Sequence, residues 1–231
     1  MKRCCLLLFL ITSPIQIHAQ KNTVQYGFQT GPSFVNLYGN PFIETFLEPE
    51  IRLTGGPAVY YPFSKHWSVK SNLFFEVKGA GGILPLFDEV GDLMGFYNAK
   101  ISYSYLTIPL LFEYNFGNRM KGNLTAGPYM GTLLSQKSTF TEPVLGEKIV
   151  VSGTSNYIPL DGGLILGAGG RYAVNRRINV SLEGRFNIGM TNIVSRPVMN
   201  SLTIYTLASH ILVGVYYTPG YYAGKVRGVN P

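Results

Sequence analysis

From Val24 onward the dominant repeat of polar and apolar residues is two, the signature of extended strands with one apolar face. In Trp67 to Lys78 one face reads Trp67, Val69, Ser71, Leu73, Phe75 and Val77. The other reads Ser68, Lys70, Asn72, Phe74, Glu76 and Lys78. In Ile178 to Thr191 one face is Ile178, Val180, Leu182, Gly184, Phe186, Ile188 and Met190, and the opposite face carries Asn179, Ser181, Glu183, Arg185 and Asn187. A helical repeat of 3.6 would mix these sets. The same test predicts eight strands, at 24–36, 52–63, 67–78, 101–116, 122–134, 157–172, 178–191 and 201–217. Their connections differ in length: Ser64–His66, Gly117–Lys121 and Ala173–Arg177 are short, whereas Leu37–Ile51, Gly79–Lys100, Ser135–Asn156 and Asn192–Asn200 are long.

Composition narrows what such strands can build. Charged residues are 13% of the 231, about half the roughly 25% of soluble domains. No apolar run reaches the roughly 20 residues of a spanning helix, and 46% hydrophobic content excludes a disordered chain. A charge-poor, aromatic-rich chain without membrane helices has one membrane solution, a closed barrel. Short turns on one rim and long loops on the other are the arrangement of an outer-membrane barrel. The predicted fold is therefore all-β: a transmembrane antiparallel up-and-down barrel of eight strands, with short periplasmic turns and long extracellular loops.

The N-terminus reads as a signal peptide over 1–19: Lys2 and Arg3, an apolar core from Cys4 to Ile11, then Ile17-His18-Ala19 before a cut at Gln20. Both cysteines, Cys4 and Cys5, lie within it, so the mature chain has no disulfide, thiolate nucleophile or cysteine metal site. Residues 20–217 form the barrel domain and 218–231 a C-terminal periplasmic tail. Losing Lys2 and Arg3 lowers the formal charge from +7 to +5 (7 − 2). The remaining cations are scattered, many in turns (Lys65, Arg119, Lys121, Arg176, Arg177), without the clustered stripe of a nucleic-acid partner.

Alternation alone does not say which face is inside. Ten glycines fall on the polar face and four on the apolar face of the predicted strands. Glycine weakens a strand, but the interior of an eight-stranded barrel is only just wide enough for side chains and favours it. The polar face also balances Lys70, Lys78, Arg171 and Arg185 against Glu76, Glu113, Asp161 and Glu183, as an enclosed lumen requires. Tyr61, Phe63, Trp67, Tyr114, Phe116, Tyr172 and Tyr217 sit on the apolar face near short turns or the chain end. That placement predicts an aromatic girdle at a membrane interface.

Several of these segments carry a family resemblance: Gly31-Pro32-Ser33-Phe34, Tyr105-Leu106-Thr107-Ile108-Pro109-Leu110-Leu111, Ala126-Gly127-Pro128-Tyr129-Met130-Gly131, Gly163 through Gly169, and Ser181 through Ile193. In this order they resemble the PorT-like outer-membrane β-barrel family of Bacteroidota. The resemblance covers most of the mature chain. It implies an eight-stranded barrel with periplasmic termini and, for most members, no assigned biochemical activity. The chain departs from such barrels in having Thr218 to Pro231 after Tyr217, where an aromatic residue usually ends the last strand.

Candidate chemistry is sparse. His66 lies in a short turn and His210 on the polar face, where it reads as a hydrogen-bonded lumen histidine in preference to an acid–base partner of Asp161 or Glu183. Metal sites want several converging ligands, Gly-x-Ser-x-Gly is missing, and Gly167-Ala168-Gly169-Gly170 sits in a strand rather than before a helix. Asp88, Glu89 and Asp92 gather in a long loop without the spacing of a calcium site. No catalytic, metal or cofactor-binding residue is assigned. The reading is a small non-enzymatic outer-membrane barrel with a filled lumen. It is structural or partner-binding through its loops and rims, in contact with membrane lipids, lipopolysaccharide and an unidentified envelope protein. Three alternatives stand beside it: a component of a type IX-like secretion machinery, a soluble periplasmic ligand carrier with its apolar face inside, and a lipid-modifying membrane enzyme, which would need a reactive Ser or His at a rim.

Overall fold

The computed structural model describes residues 23–87, 90–117, 120–141, 146–195 and 203–219; the segment predicted as a signal peptide and residues 220–231 lie outside this range. Among the described residues, eleven strands and one short α-helix follow in order: β1 (Gln25–Tyr38), α1 (Pro41–Phe46), β2 (Leu47–Glu48), β3 (Glu50–Pro62), β4 (Trp67–Asn72), β5 (Phe74–Phe87), β6 (Leu93–Phe116), β7 (Met120–Thr141), β8 (Lys148–Ser152), β9 (Leu160–Ala173), β10 (Ile178–Gly189) and β11 (Tyr205–Tyr217). Strands β4 and β5 are one stave interrupted at Leu73. With β1, β3, β6, β7, β9, β10 and β11 they make eight staves in an antiparallel ring, closed where β1 pairs with β11 from Tyr26↔Tyr217 to Tyr38↔Tyr205.

Alternate residues of each stave face opposite sides of the wall, and the apolar set faces out. On β6, Leu106, Ile108, Leu110, Phe112, Tyr114 and Phe116 are all exposed, while Thr107, Leu111 and Glu113 are fully buried. The soluble-carrier alternative fails on this point, because its apolar face would have to line the interior. The outward apolar run from Phe116 to Leu106 spans about 25 Å at ~3.3 Å per residue and ~40° of tilt. That is the height of a bilayer's apolar band.

The staves do not stop there. Beyond Leu106 the outward positions of β6 become Ser104, Ser102, Lys100 and Asn98, and the strand runs on to Leu93, a further ~30 Å by the same geometry. This corrects the sequence-based boundaries. Gly79–Lys100 is mostly strand, the ends of β5 and β6 paired from Gly79↔Ser102 to Phe87↔Leu93. Segment 122–134 extends to Thr141, and Ser135–Asn156 contains β8 and a 3-10 turn at Thr154–Asn156. Leu37–Ile51 contains α1, capped by the Asn40 side chain accepting from Phe42 N, and β2. Strand 157–172 begins at Leu160, 178–191 ends at Gly189, and 201–217 begins at Tyr205.

The short turns are locally specified. Phe63 and Ser64 N–H both donate to the Trp67 carbonyl, and the Asn175 side chain accepts from the N–H groups of Arg177 and Ile178, the local turn chemistry asparagine favours. At the other end, Leu37, Ile43, Leu47, Tyr103, Tyr105 and Ile204 pack into an apolar cluster over the mouth of the lumen.

Candidate functional site

Eight charged side chains line the inner wall: Lys70, Glu76, Lys78, Glu113, Asp161, Arg171, Glu183 and Arg185, none more than 6% exposed. They form two groups along the barrel axis. In the group nearer the short turns, Lys70 Nζ donates to Glu183 Oε2 at 2.7 Å and to Glu113 Oε2 at 2.9 Å. Arg185 Nε reaches Glu183 Oε1 at 2.9 Å, and its Nη2 donates to Gln29 Oε1 at 2.8 Å. Arg171 stands 3.5 Å from Glu113 and lies over the Tyr60 ring at 3.6 Å, with Tyr216 at 4.9 Å. In the other group Lys78 Nζ donates to Asp161 Oδ2 at 2.7 Å, lies 3.7 Å from Glu76, and faces the Tyr129 ring at 4.3 Å. Thr206 donates to the same Asp161 oxygen at 2.9 Å.

Two of these contacts cross the barrel rather than follow its wall. Lys70 on β4 meets Glu183 on β10 with three staves between them either way round the ring, and Lys78 on β5 meets Asp161 on β9 with two staves between them one way and four the other. Side chains from opposite walls touching directly fill the lumen at the level of both groups. Desolvating eight charges is costly unless each is compensated; four cations against four anions leave no net formal charge among them.

His210 lies on the inner face, 3% exposed, but neither ring nitrogen has a hydrogen-bond partner. The structure therefore does not join it to Asp161 or Glu183 as an acid–base pair. His66 Nδ1 instead contacts the Asn115 carbonyl at 3.1 Å in its turn. Asp88 and Glu89 lie outside the described residues. Among the described residues no group of three or more His, Cys, Asp or Glu is placed to hold a metal ion.

The aromatic residues Tyr61, Phe63, Trp67, Tyr114, Phe116, Tyr172 and Tyr217 are all exposed on the outer wall at the short-turn end, between 39% and 56%. Trp67 packs edge-on against Tyr114 at 5.1 Å. Sequence reasoning missed Tyr26, outward-facing at 55% and paired with Tyr217 across the closing seam; its outward parity at the start of β1 was the available signal. It also missed a polar cluster at the long-strand end, where Glu50 contacts Arg52 and forms an ion pair with Lys100 at 3.3 Å. Trp67 is the only tryptophan, so its depth is directly measurable. In bilayers its fluorescence is expected to be quenched more by lipids brominated near the headgroup than near the methyl ends; stronger quenching from the methyl ends would remove the girdle from the interface.

The family profile described as "Outer membrane protein beta-barrel domain" matches residues 18–195. No curated protein sequence matches the chain. Among solved structures it is similar to Neisserial surface protein A at 10% identity and a TM-score of 0.45, covering 84% of this chain and 96% of that one. Ail, the attachment invasion locus protein of Yersinia pestis, gives 10% identity and 0.41, covering 84% and 98%. The outer membrane protein OprG from Pseudomonas aeruginosa gives 10% and 0.41, covering 85% and 94%. With its family profile matched over most of its length, the chain belongs to the outer membrane protein beta-barrel domain family, a small barrel of the cell outer membrane.

Proposed function

We propose that this is a non-conducting, non-enzymatic barrel of the PorT-like kind, whose work is to present its long-strand end to a protein partner in the envelope or outside it. The short-turn rim then faces the periplasm, with its aromatic girdle among lipid headgroups. The observation that carries the reading is strand β8. It pairs with β7 at Lys137–Thr141, beyond the last outward apolar residue of the band on that stave, Leu134. There Ile149, Val150 and Val151 are exposed at 56%, 59% and 50%. Among the described residues no strand pairs with the other edge of β8. An aliphatic edge strand standing in water is a liability that proteins ordinarily blunt with charge, proline or cover. It is also the template used when an extended segment of another protein adds a strand. The filled lumen supports the same division of labour, since side chains from opposite walls leave no general diffusion path.

Site-specific photocrosslinking in intact cells tests this. A photoreactive residue at Val150 is expected to trap a discrete protein partner, lost on replacing Ile149 and Val151 with lysine while the barrel still migrates as a folded, heat-modifiable species. Crosslinking to lipid alone, or an unchanged protein adduct in the lysine variant, would contradict the reading. Single-channel conductance across planar bilayers by the wild type would contradict the filled lumen separately.

A further inference from the structure

Above the lipid band the outer wall carries a polar groove. It is a depression of about 460 Å³ across the upper ends of β5, β6 and β7, with β2 and β8 at its flanks, within the roughly 300–1,000 Å³ of ligand pockets. Lys100 and Thr139 share one rung of the outward face, and Ile83, Asn98, Thr141 and Lys148 share the next. Ile83 and Asn98 also line a second depression of about 330 Å³ with Phe96, which is 51% exposed. The two hollows therefore run into one another.

One side of the groove is fixed in place. Glu50 extends from β3 over β5 to Lys100 on β6 at 3.3 Å, and it also contacts Arg52. Gly81 of β5 leaves that path clear, since a Cβ there would fall 2.6 Å from Glu50 Oε1. The carboxylate is thus held by two cations while its side chain stays 20% exposed. Polar groups positioned before a ligand arrives are what a binding site requires. The side chains of Asn98, Thr139 and Thr141, by contrast, hydrogen-bond to no described residue, so an amide and two hydroxyls remain free.

Charge and apolar surface together select the ligand. Glu48 and Glu50 balance Lys100 and Lys148, so the lining has no net formal charge. Its amide and hydroxyls both donate and accept, and Ile83 and Phe96 form an apolar strip beside them. A saccharide has the matching form: hydroxyls round the edge of each ring, and C–H groups on its faces that suit the electron-rich face of an aromatic ring. Height agrees with this. At ~3.3 Å per residue and ~40° of tilt, Lys100 to Phe96 stand about 15–25 Å above Leu106. Facing outward from the wall, the groove opens sideways into the layer held by the sugars of outer-leaflet glycolipids.

We infer that the groove across β5, β6 and β7 binds an uncharged oligosaccharide segment of the lipopolysaccharide around the barrel, its hydroxyls on Glu50, Asn98 and Thr141 and one ring face on Phe96. The inference rests on the orientation proposed above, with the long-strand end outside, and not on β8.

The probe is the oligosaccharide released from rough lipopolysaccharide by mild acid and then dephosphorylated, titrated against the barrel in detergent micelles and followed by saturation-transfer NMR. Saturable binding is expected. Asn98→Ala combined with Thr141→Ala should weaken it about tenfold, the loss of two or three hydrogen bonds. Phe96→Ala should remove the transfer to ring C–H protons. Both variants alter only outward positions above the band, and heat-modifiable migration checks that they fold. No binding by the wild type, unchanged affinity in the double variant, or binding that requires the phosphates overturns the inference. In micelles the result is independent of insertion and of any partner at β8, so the groove and the orientation fail separately. A photoreactive residue at Thr139 in intact cells then identifies the source: a lipopolysaccharide adduct is expected, and a protein adduct in its place, or none, overturns the assignment.

Discussion

Replacing Glu183 with alanine should cost the barrel about 3–5 kcal/mol, the usual penalty for removing one partner from a buried charge pair. Glu183 accepts from Lys70 at 2.7 Å, from Arg185 at 2.9 Å and 3.2 Å, and from Gln29 at 3.2 Å, all within a wall 3% exposed or less. With it gone, Lys70 keeps only Glu113, Arg185 keeps the Asn72 and Gln29 amides and the Phe74 ring but no anion, and the inner wall carries an uncompensated positive charge. The measurement is the urea midpoint for unfolding in bicelles, with Glu48→Ala as the exposed control, expected within about 0.5 kcal/mol of wild type. If the two variants unfold together, the cross-lumen pairs are not what holds the interior.

The second large effect concerns the break in the third stave. Gly56 on β3 lies opposite Leu73, where β4 ends and β5 begins, and a Cβ there would fall within van der Waals distance of the Leu73 carbonyl and the Phe74 Cα. Those are backbone atoms of a paired neighbour: Leu73 N–H donates to the Pro57 carbonyl at 2.9 Å. Nothing flexible can yield, so relief would have to come from the ladder itself. Kinks of this kind, made with glycine, are how a tightly curved sheet turns its corners. Gly56→Val is accordingly expected to leave no heat-modifiable folded species, well beyond the ~1–3 kcal/mol of ordinary overpacking. Gly184→Leu on the outer wall, where a Cβ would meet nothing closer than 3.9 Å, should fold normally. Equal yields of folded barrel from both variants would show that the close approach at Gly56 is not limiting.

The two halves of the molecule differ in how legible they are. Within the lipid band one face of each stave must be apolar and the other must fit a narrow polar lumen, so alternation is enforced, as in Trp67–Lys78, whose parity continues unbroken across the interruption at Leu73. Above the band that constraint lapses. Gly79-Ala80-Gly81-Gly82 and Asn98-Ala99-Lys100 alternate poorly because one side of the wall is wet and the other carries only small buried residues, Ala80 in the apolar cluster and Ala99, so they resemble loop in sequence. Leu134 shifts the phase of β7 further: Tyr105 pairs with Leu133 while Ser104 pairs with Ser135. Within the lumen, parity indicates which charges point inward, but the cross-barrel partner of each depends on stagger, which no local repeat encodes. Arg171 between Tyr60 and Tyr216, drawn from three distant parts of the chain, is an arrangement only the closed ring displays.

The seam between β1 and β11 also sets a condition on synthesis. Its eleven paired positions join residues 26–38 to residues 205–217, so the contacts that finish the barrel span almost the whole of the described chain. Loop-closing steps of such sequence separation come late and slowly in folding. Until β11 arrives, β1 and β10 each present an unpaired edge with an apolar outer face, the combination most prone to joining another chain. Delivery to the membrane therefore has to keep the complete polypeptide unfolded and escorted, because a chain truncated anywhere before Tyr205 lacks a ring to close.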